Sequence, residues 1–224
     1  MAVEHNRTFD AIVFDLGGVL IELGGITRML ELLGDRVTVE ELWTLWLSSP
    51  SVREFETGRM DAEQFALGLL AEFELSISPA QFTAEFTTWP KGLYPGTIDL
   101  LRALAPQYTL ACLTNTNALH WPRICDEMGL QPHFAMHFAS HLIGLLKPDR
   151  AIFQHIIDRL GYAPERILFL DDTALNVESA RSLGISAYHV AGLAAVIERL
   201  TALNVLPQVH VSQLADFFEE QQSD

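Results

Sequence analysis

A chain of 224 residues, 49% hydrophobic and 19% charged, can bury one generous core with or without an insert and does not have the composition of a disordered protein. Its formal net charge of −15, with no clustering of lysine or arginine, excludes a nucleic-acid backbone or an anionic membrane as partner, because both demand concentrated positive charge. No apolar run reaches membrane-spanning length and the first seven residues, MAVEHNR, carry no apolar signal segment, so the expected location is the cytoplasm.

The first strand is expected in FDAIVF, from Phe9, which is nearly continuously apolar in the manner of a parallel strand buried on both faces. From about Gly24 to Gly92 strand signals give way to amphipathic helical patterns around ITRMLELLG, TVEELWTLWLSS, DAEQFALGLLAEFEL and SPAQFTAEFTTW, with Asp61 and Ser78 as N-caps. The aromatic residues of this stretch (Trp43, Trp46, Phe55, Phe65, Phe73, Phe82, Phe86 and Trp89) are read mainly as its own core, with one or two facing a pocket. After YPGTIDLLRAL the sheet resumes with YTLACLT, from Tyr108. Cys112 lies in that run and Cys125 in a helical stretch, and both read as small apolar residues in a reducing compartment.

His133, His137 and His141 recur every fourth residue, as metal ligands on a helix would, but HFAMHFASH reads as a strand. KPDRAIFQHIIDRLG is helical, with proline near its start and Gly161 at its end. RILFLD and SAYHV are strands on either side of a helix over TALNVESARSLG, which has Thr173 in the capping position and stops at Gly184. The terminal EEQQSD is expected to fray. The alternation predicts a three-layer α/β, Rossmann-like core with a parallel sheet, residues 1–23 and 93–224, plus a small all-helical cap domain over 24–92.

Three of the four strands end in polar groups: Asp15, Thr114 with Asn115, and the pair Asp171–Asp172. Ligands of open α/β sheets bind beyond the carboxyl ends of the strands, so these groups converge, and Lys147 can reach the same place. Three carboxylates, a hydroxyl and an ammonium make a hard-oxygen metal site beside an anion site, a combination that suits Mg²⁺. Each residue also has a plainer reading: Asp15 as a turn opener, Thr114 and the acidic pair as helix caps, Lys147 as a solvated lysine, Asn176 as a surface residue.

FDLGGVL, LTNTN, KPDRAIF and LFLDDTALN, in that order, resemble the four motifs of the haloacid dehalogenase superfamily, and most closely its phosphatase-like members with a helical cap after the first strand. The resemblance covers Asp10 to about Val190. It implies a hydrolase that acts on a small phosphorylated metabolite, with Asp15 as nucleophile and Mg²⁺ ligand. Thr114 and Asn115 would bind the phosphate, Lys147 would partner both phosphate and Asp15, and Asp171, Asp172 and the Gly17 carbonyl would complete the metal site. Asn176 would orient the acidic pair or the lysine. An aspartate that attacks phosphorus would divide hydrolysis into formation and breakdown of an aspartyl phosphate.

The departure from the pattern is Gly17. Most phosphatases of this superfamily carry a second aspartate there, which protonates the leaving group and then activates water. Its loss removes acid–base assistance worth ~10²–10⁴ in rate and favours better leaving groups, such as sugar 1-phosphates. Glu22 is the nearest later acid, though it reads as an ordinary exposed glutamate. The alternatives are a 2-haloacid dehalogenase, which would leave the Asp171–Asp172 pair without a purpose, and a non-catalytic protein that binds a phosphorylated metabolite. Neither the substrate nor the oligomeric state is legible at this level.

Overall fold

A computed structural model describes residues 7–34 and 36–206; MAVEHN and the terminal EEQQSD lie outside the described residues. The chain runs through β1 (Ala11–Phe14), β2 (Ile21–Leu23), α1 (Gly25–Leu32), α2 (Val39–Ser48), α3 (Pro50–Glu56), α4 (Ala62–Glu72), α5 (Pro79–Thr87) and β3 (Pro90–Leu93). It continues through α6 (Thr97–Leu104), β4 (Thr109–Thr114), β5 (Met136–Ala139), α7 (Ser140–Ile143), α8 (Arg150–Leu160), β6 (Ile167–Asp171), α9 (Ala174–Arg181), β7 (Ser186–His189) and α10 (Gly192–Ala202). Among these helices none is long and apolar enough to cross a membrane.

Five strands form a parallel sheet in the order β5-β4-β1-β6-β7, which is the α/β, Rossmann-like core expected. Successive side chains of a strand point to opposite faces, and both faces are covered here. Ile12 and Phe14 enter one apolar cluster with Leu100 and Leu104 of α6 and Val196 and Leu200 of α10. Ala11 and Val13 enter the other, with Ile152 and Ile156 of α8 and Val177 of α9. That two-sided burial is why the strand sequences run apolar without alternating.

Helices α1 to α5 enclose a third cluster containing Met29, Phe55, Phe65, Leu69, Phe82 and Phe86. Its rings are in close register: Phe55 stacks on Phe65 with centroids 4.3 Å apart, and Phe86 meets Phe65 at 5.1 Å and Phe82 at 5.6 Å. Trp43 departs from the expectation for this set. It lies on the outer face of α2 and is 41% exposed. Asp61 and Ser78 cap α4 and α5 through their side chains.

Several elements differ from the sequence reading. The antiparallel ribbon of β2 and β3 ties together the two ends of the helical stretch. It has little sequence signal, since β2 is three residues long and β3 opens on proline and contains glycine. Helix α3 is too short to show periodicity, although Ser49 caps it and Pro50 opens it. Cys125 lies in a short π-helical turn, Arg123–Glu127. Burial pushes the thiol of Cys112 up to about 12 and that of Cys125 up to about 11, which disfavours the thiolate at both.

Phe86 is 1% exposed and contacts five other aromatic side chains of the helical stretch. Phe86→Ala is expected to destabilise the protein by about 3–5 kcal/mol in urea denaturation, and a loss below about 1 kcal/mol would contradict this packing.

Candidate active site

Because β4, β1 and β6 are adjacent and parallel, their C-terminal ends open onto one edge of the sheet. Asp15 follows β1 and extends its ladder, its N–H donating to the Leu170 carbonyl at 2.9 Å. Thr114 ends β4 on one side of it and Asp171 ends β6 on the other. The carboxylates of Asp15, Asp171 and Asp172 lie within 4.8 Å of one another. The convergence expected from sequence is therefore present.

Lys147 is 1% exposed, and its Nζ donates to Asp15 Oδ1 at 2.9 Å and Asp171 Oδ2 at 2.7 Å. Its backbone is clamped at two points by Asn115, whose Oδ1 accepts from the Lys147 N–H at 2.9 Å while its Nδ2 donates to the Lys147 carbonyl at 3.0 Å. Both ends of the Asn115 side-chain amide are thus engaged in holding the lysine. Thr114 is buried, and its hydroxyl makes only a long 3.5 Å contact with the Asn115 carbonyl.

The two neighbouring aspartates divide sharply. Asp171 is fully buried and takes hydrogen bonds from Lys147, from the Thr173 N–H at 2.8 Å and from Asn176 Nδ2 at 2.9 and 3.1 Å. Asn176 thus orients the inner aspartate, and Thr173 occupies the N-cap position of α9 without capping it through its side chain. Asp172 is more open, with a single long contact from the Thr173 hydroxyl at 3.4 Å. The polar contacts of Asp15 from Leu16 N–H and Lys147 both fall on Oδ1.

The two glycines after Asp15 do different things. Gly18 has φ of +70°, and a Cβ there would lie 2.0 Å from Asp172 Oδ2, so its missing side chain makes room for a protein carboxylate rather than directly for a ligand. Gly17 is outside the left-handed region, and a Cβ would meet only the Leu23 side-chain end at 2.9 Å.

Charge in the site is unbalanced, with three carboxylates facing one ammonium. Burial raises the Asp15 pKa well above the usual carboxylate range; Lys147 pulls it down, and Asp171 and Asp172 push it up. Burial and Asp171 likewise raise Asp172, against the pull of Lys147. For Lys147 burial opposes the charge, but Asp15 and Asp171 outweigh it and the pKa rises. A compact group of oxygen donors with surplus negative charge fits a hard divalent cation. His133, His137 and His141 do not converge; they fall in a 3₁₀ turn, in β5 and in α7, and the strand between them is the one read from sequence. Glu22 is exposed on β2.

Glu56 was not singled out from sequence. It ends α3, half-buried, where burial pushes its carboxyl up to about 7 against the Trp46 indole and the Lys147 charge, which lower it. The signal that could have found it was Ser49-Pro50, a helix start that brings VREFE into the α-helical count.

A haloacid dehalogenase-like hydrolase family model matches residues 9–184, and the chain belongs to that family of hydrolases. Several of its curated relatives are named as phosphatases. It is 26% identical over 197 residues to the sesquiterpene phosphatase astK of Aspergillus oryzae, covering 88% of this chain and 97% of that one. It is 28% identical to phosphatase MT3486 of Mycobacterium tuberculosis, covering 82% of this chain and 88% of the relative. Among solved structures, the HAD family enzyme bt-2542 of Bacteroides thetaiotaomicron, in complex with magnesium and inorganic phosphate, superposes with a TM-score of 0.67 at 25% identity, covering 81% of this chain and 94% of that one.

Removing the buried ammonium leaves its carboxylates uncompensated, so Lys147→Met is expected to cost about 3–5 kcal/mol in urea melts with EDTA at neutral pH. A carboxyl whose pKa is raised on folding stabilises the fold fully below its unfolded value and loses that contribution as pH rises through the folded one. The variant's deficit should therefore shrink toward pH 5 and grow toward pH 8, and the opposite trend would exclude uncompensated Asp15 and Asp172 as its cause. Gly18→Ala should disorder the Asp172 carboxylate and lower thermal stability, whereas Gly17→Ala should be tolerated. Equal melting temperatures for the two variants would contradict the geometry.

Proposed function

We propose that this hydrolase is a Mg²⁺-dependent phosphatase of small phosphorylated metabolites, working through an aspartyl phosphate on Asp15. The observation that carries the reading is the placement of Asp15 at the centre of the sheet edge, fixed on one side by Lys147 and flanked on the other by the open carboxylate of Asp172. The phosphatase names of the relatives and the magnesium and phosphate in the bt-2542 complex support it.

Asp15 and Asp172, with the Gly17 carbonyl, would hold Mg²⁺, which when bound would offset repulsion between an anionic nucleophile and an anionic substrate. In this reading Asp171 is the counter-ion that holds Lys147 in place and is not a direct ligand, since its oxygens already take three partners. Lys147 and the Thr114 hydroxyl bind the transferring phosphoryl oxygens. Asp15 displaces the leaving alkoxide, and water then cleaves the acyl phosphate and restores the carboxylate. The helical stretch over residues 24–92 acts as the cap that shields the site and selects the substrate. No carboxyl at position 17 assists the leaving group, so within the core alone good leaving groups are favoured.

The test is phosphate release from p-nitrophenyl phosphate, sugar 1-phosphates and nucleotides. Activity should disappear with EDTA and return with Mg²⁺, and Asp15→Asn should lower it by at least about 10³-fold, because an amide is a poor nucleophile. Full activity of that variant would overturn the mechanism. Halide release from 2-chloropropionate without a metal would favour the dehalogenase reading, and phosphate-ester binding without turnover the non-catalytic one.

A further inference from the structure

The core brings three carboxyls to the site, and each has a place in the reading above. Gly17 adds none. A further carboxyl comes from the helical stretch. The end of α3 is fixed on both sides of the segment that carries Lys147. Arg53 pairs with Asp149, two residues beyond the lysine. Gly58 packs so tightly on α7 that a Cβ there would lie 2.2 Å from the His141 carbonyl oxygen, six residues before it. Glu56 lies between Arg53 and Gly58, half-buried and within the field of Lys147. Its neighbours are already paired, Arg53 with Asp149 and Glu54 with Arg59, while Glu56 has no ion pair among the described residues. Such a carboxyl costs folding energy in a helix end that could have carried an apolar side chain.

We propose that Glu56 is the proton-transfer residue of the phosphatase reaction, delivered by the helical stretch in place of the carboxyl that position 17 lacks. The proposal rests on the phosphatase reading. In the first half-reaction Asp15 forms its bond to phosphorus as the bond to the leaving oxygen breaks, and the electron pair on that oxygen takes the Glu56 proton. In the second, the Glu56 carboxylate takes a proton from water as the water oxygen bonds to phosphorus and the acyl–phosphate bond breaks, returning its electron pair to Asp15. Glu56 ends protonated, and the balance is one phosphate ester and one water to one alcohol and one phosphate.

The surroundings suit this role. Burial brings Glu56 to about 7, against the Trp46 indole from α2 and the Lys147 charge from the core, so acid and conjugate base are both populated near neutral pH. Helix α4 directs its Glu72 to Ser49 and Ser51, at the opposite end of α3. Helix α7 contributes His141, whose ring burial keeps its pKa low.

The experiment compares wild type, Glu56→Gln, and Glu56→Gln combined with Gly17→Asp on two substrates. These are p-nitrophenyl phosphate, whose leaving group needs no proton, and glycerol 1-phosphate, whose leaving group does. Glu56→Gln should lower kcat/KM, which reports the first half-reaction, by ~10²–10⁴-fold on glycerol 1-phosphate and by less than about tenfold on p-nitrophenyl phosphate. Gly17→Asp should restore much of the alkyl-phosphate rate, since position 17 has an ordinary φ and only the exposed end of Leu23 to displace. Equal losses of kcat/KM on the two substrates would make Glu56 a packing residue and overturn the proposal, as would no loss on either. Asp15-dependent turnover in wild type that ignores Glu56→Gln removes Glu56 alone, whereas no phosphate release by wild type removes the phosphatase reading and this proposal with it.

Discussion

The ammonium of Lys147, buried between Asp15 and Asp171, is the contact on which the rest of the site depends. Removing an ammonium from water costs several kcal/mol, and the cost is recovered only where the geometry is good and every remaining donor and acceptor is satisfied. Here four segments contribute to that geometry. The end of β1 supplies Asp15, the end of β6 supplies Asp171, the start of α9 supplies Asn176 and the Thr173 N–H, and the end of β4 supplies the Asn115 clamp on the lysine backbone. None of these groups is local to another in sequence except within the β6–α9 turn. The parallel register of the sheet brings them together.

This explains which parts of the molecule were legible in the sequence. The core strands were, because burial on both faces forces an unbroken apolar run that only a polar strand end interrupts. The residues at those ends were legible for the same reason, since Asp15 or Asp171 in such a run is costly without a partner. What the sequence could not convey is the use of each side chain. Asn115 sits beside Thr114, and nothing local to it shows that its side-chain amide has the donor and acceptor that close a ring with the Lys147 backbone 32 residues later. Likewise the acidic pair reads as two equal ligands until the hydrogen bonds to Asp171 distinguish it from Asp172.

The illegible parts of the fold are short or weakly patterned. Ribbon strands β2 and β3 gain their stability from pairing across the helical stretch, a non-local cause that leaves almost no local trace. Helix α3 spans seven residues, fewer than the periodicity needs, and Trp43 was assigned inward because an aromatic residue at helical spacing is usually core. The missed helix bears on the proposed chemistry, because its last residue is the half-buried Glu56.

The adjacent glycines separate structural need from chemical consequence. Gly18 is required by the fold of the site, since any side chain there would collide with the Asp172 carboxylate and φ is positive. Gly17 is under no such constraint, because its φ lies outside the left-handed region and only the end of the Leu23 side chain would have to give way. The absence of a carboxyl at position 17 is therefore not the price of a tight turn. An acid–base group placed there would ride on the same rigid loop as Asp15, available whether or not the helical stretch covers the site. A group on α3 is available only when that stretch lies against the Lys147 segment, as its Arg53–Asp149 and Gly58–His141 contacts hold it here. Moving proton transfer from the loop to the helix would tie the chemical step to closure over the substrate, so that proton transfer to the leaving group is assisted only after bulk water has been displaced.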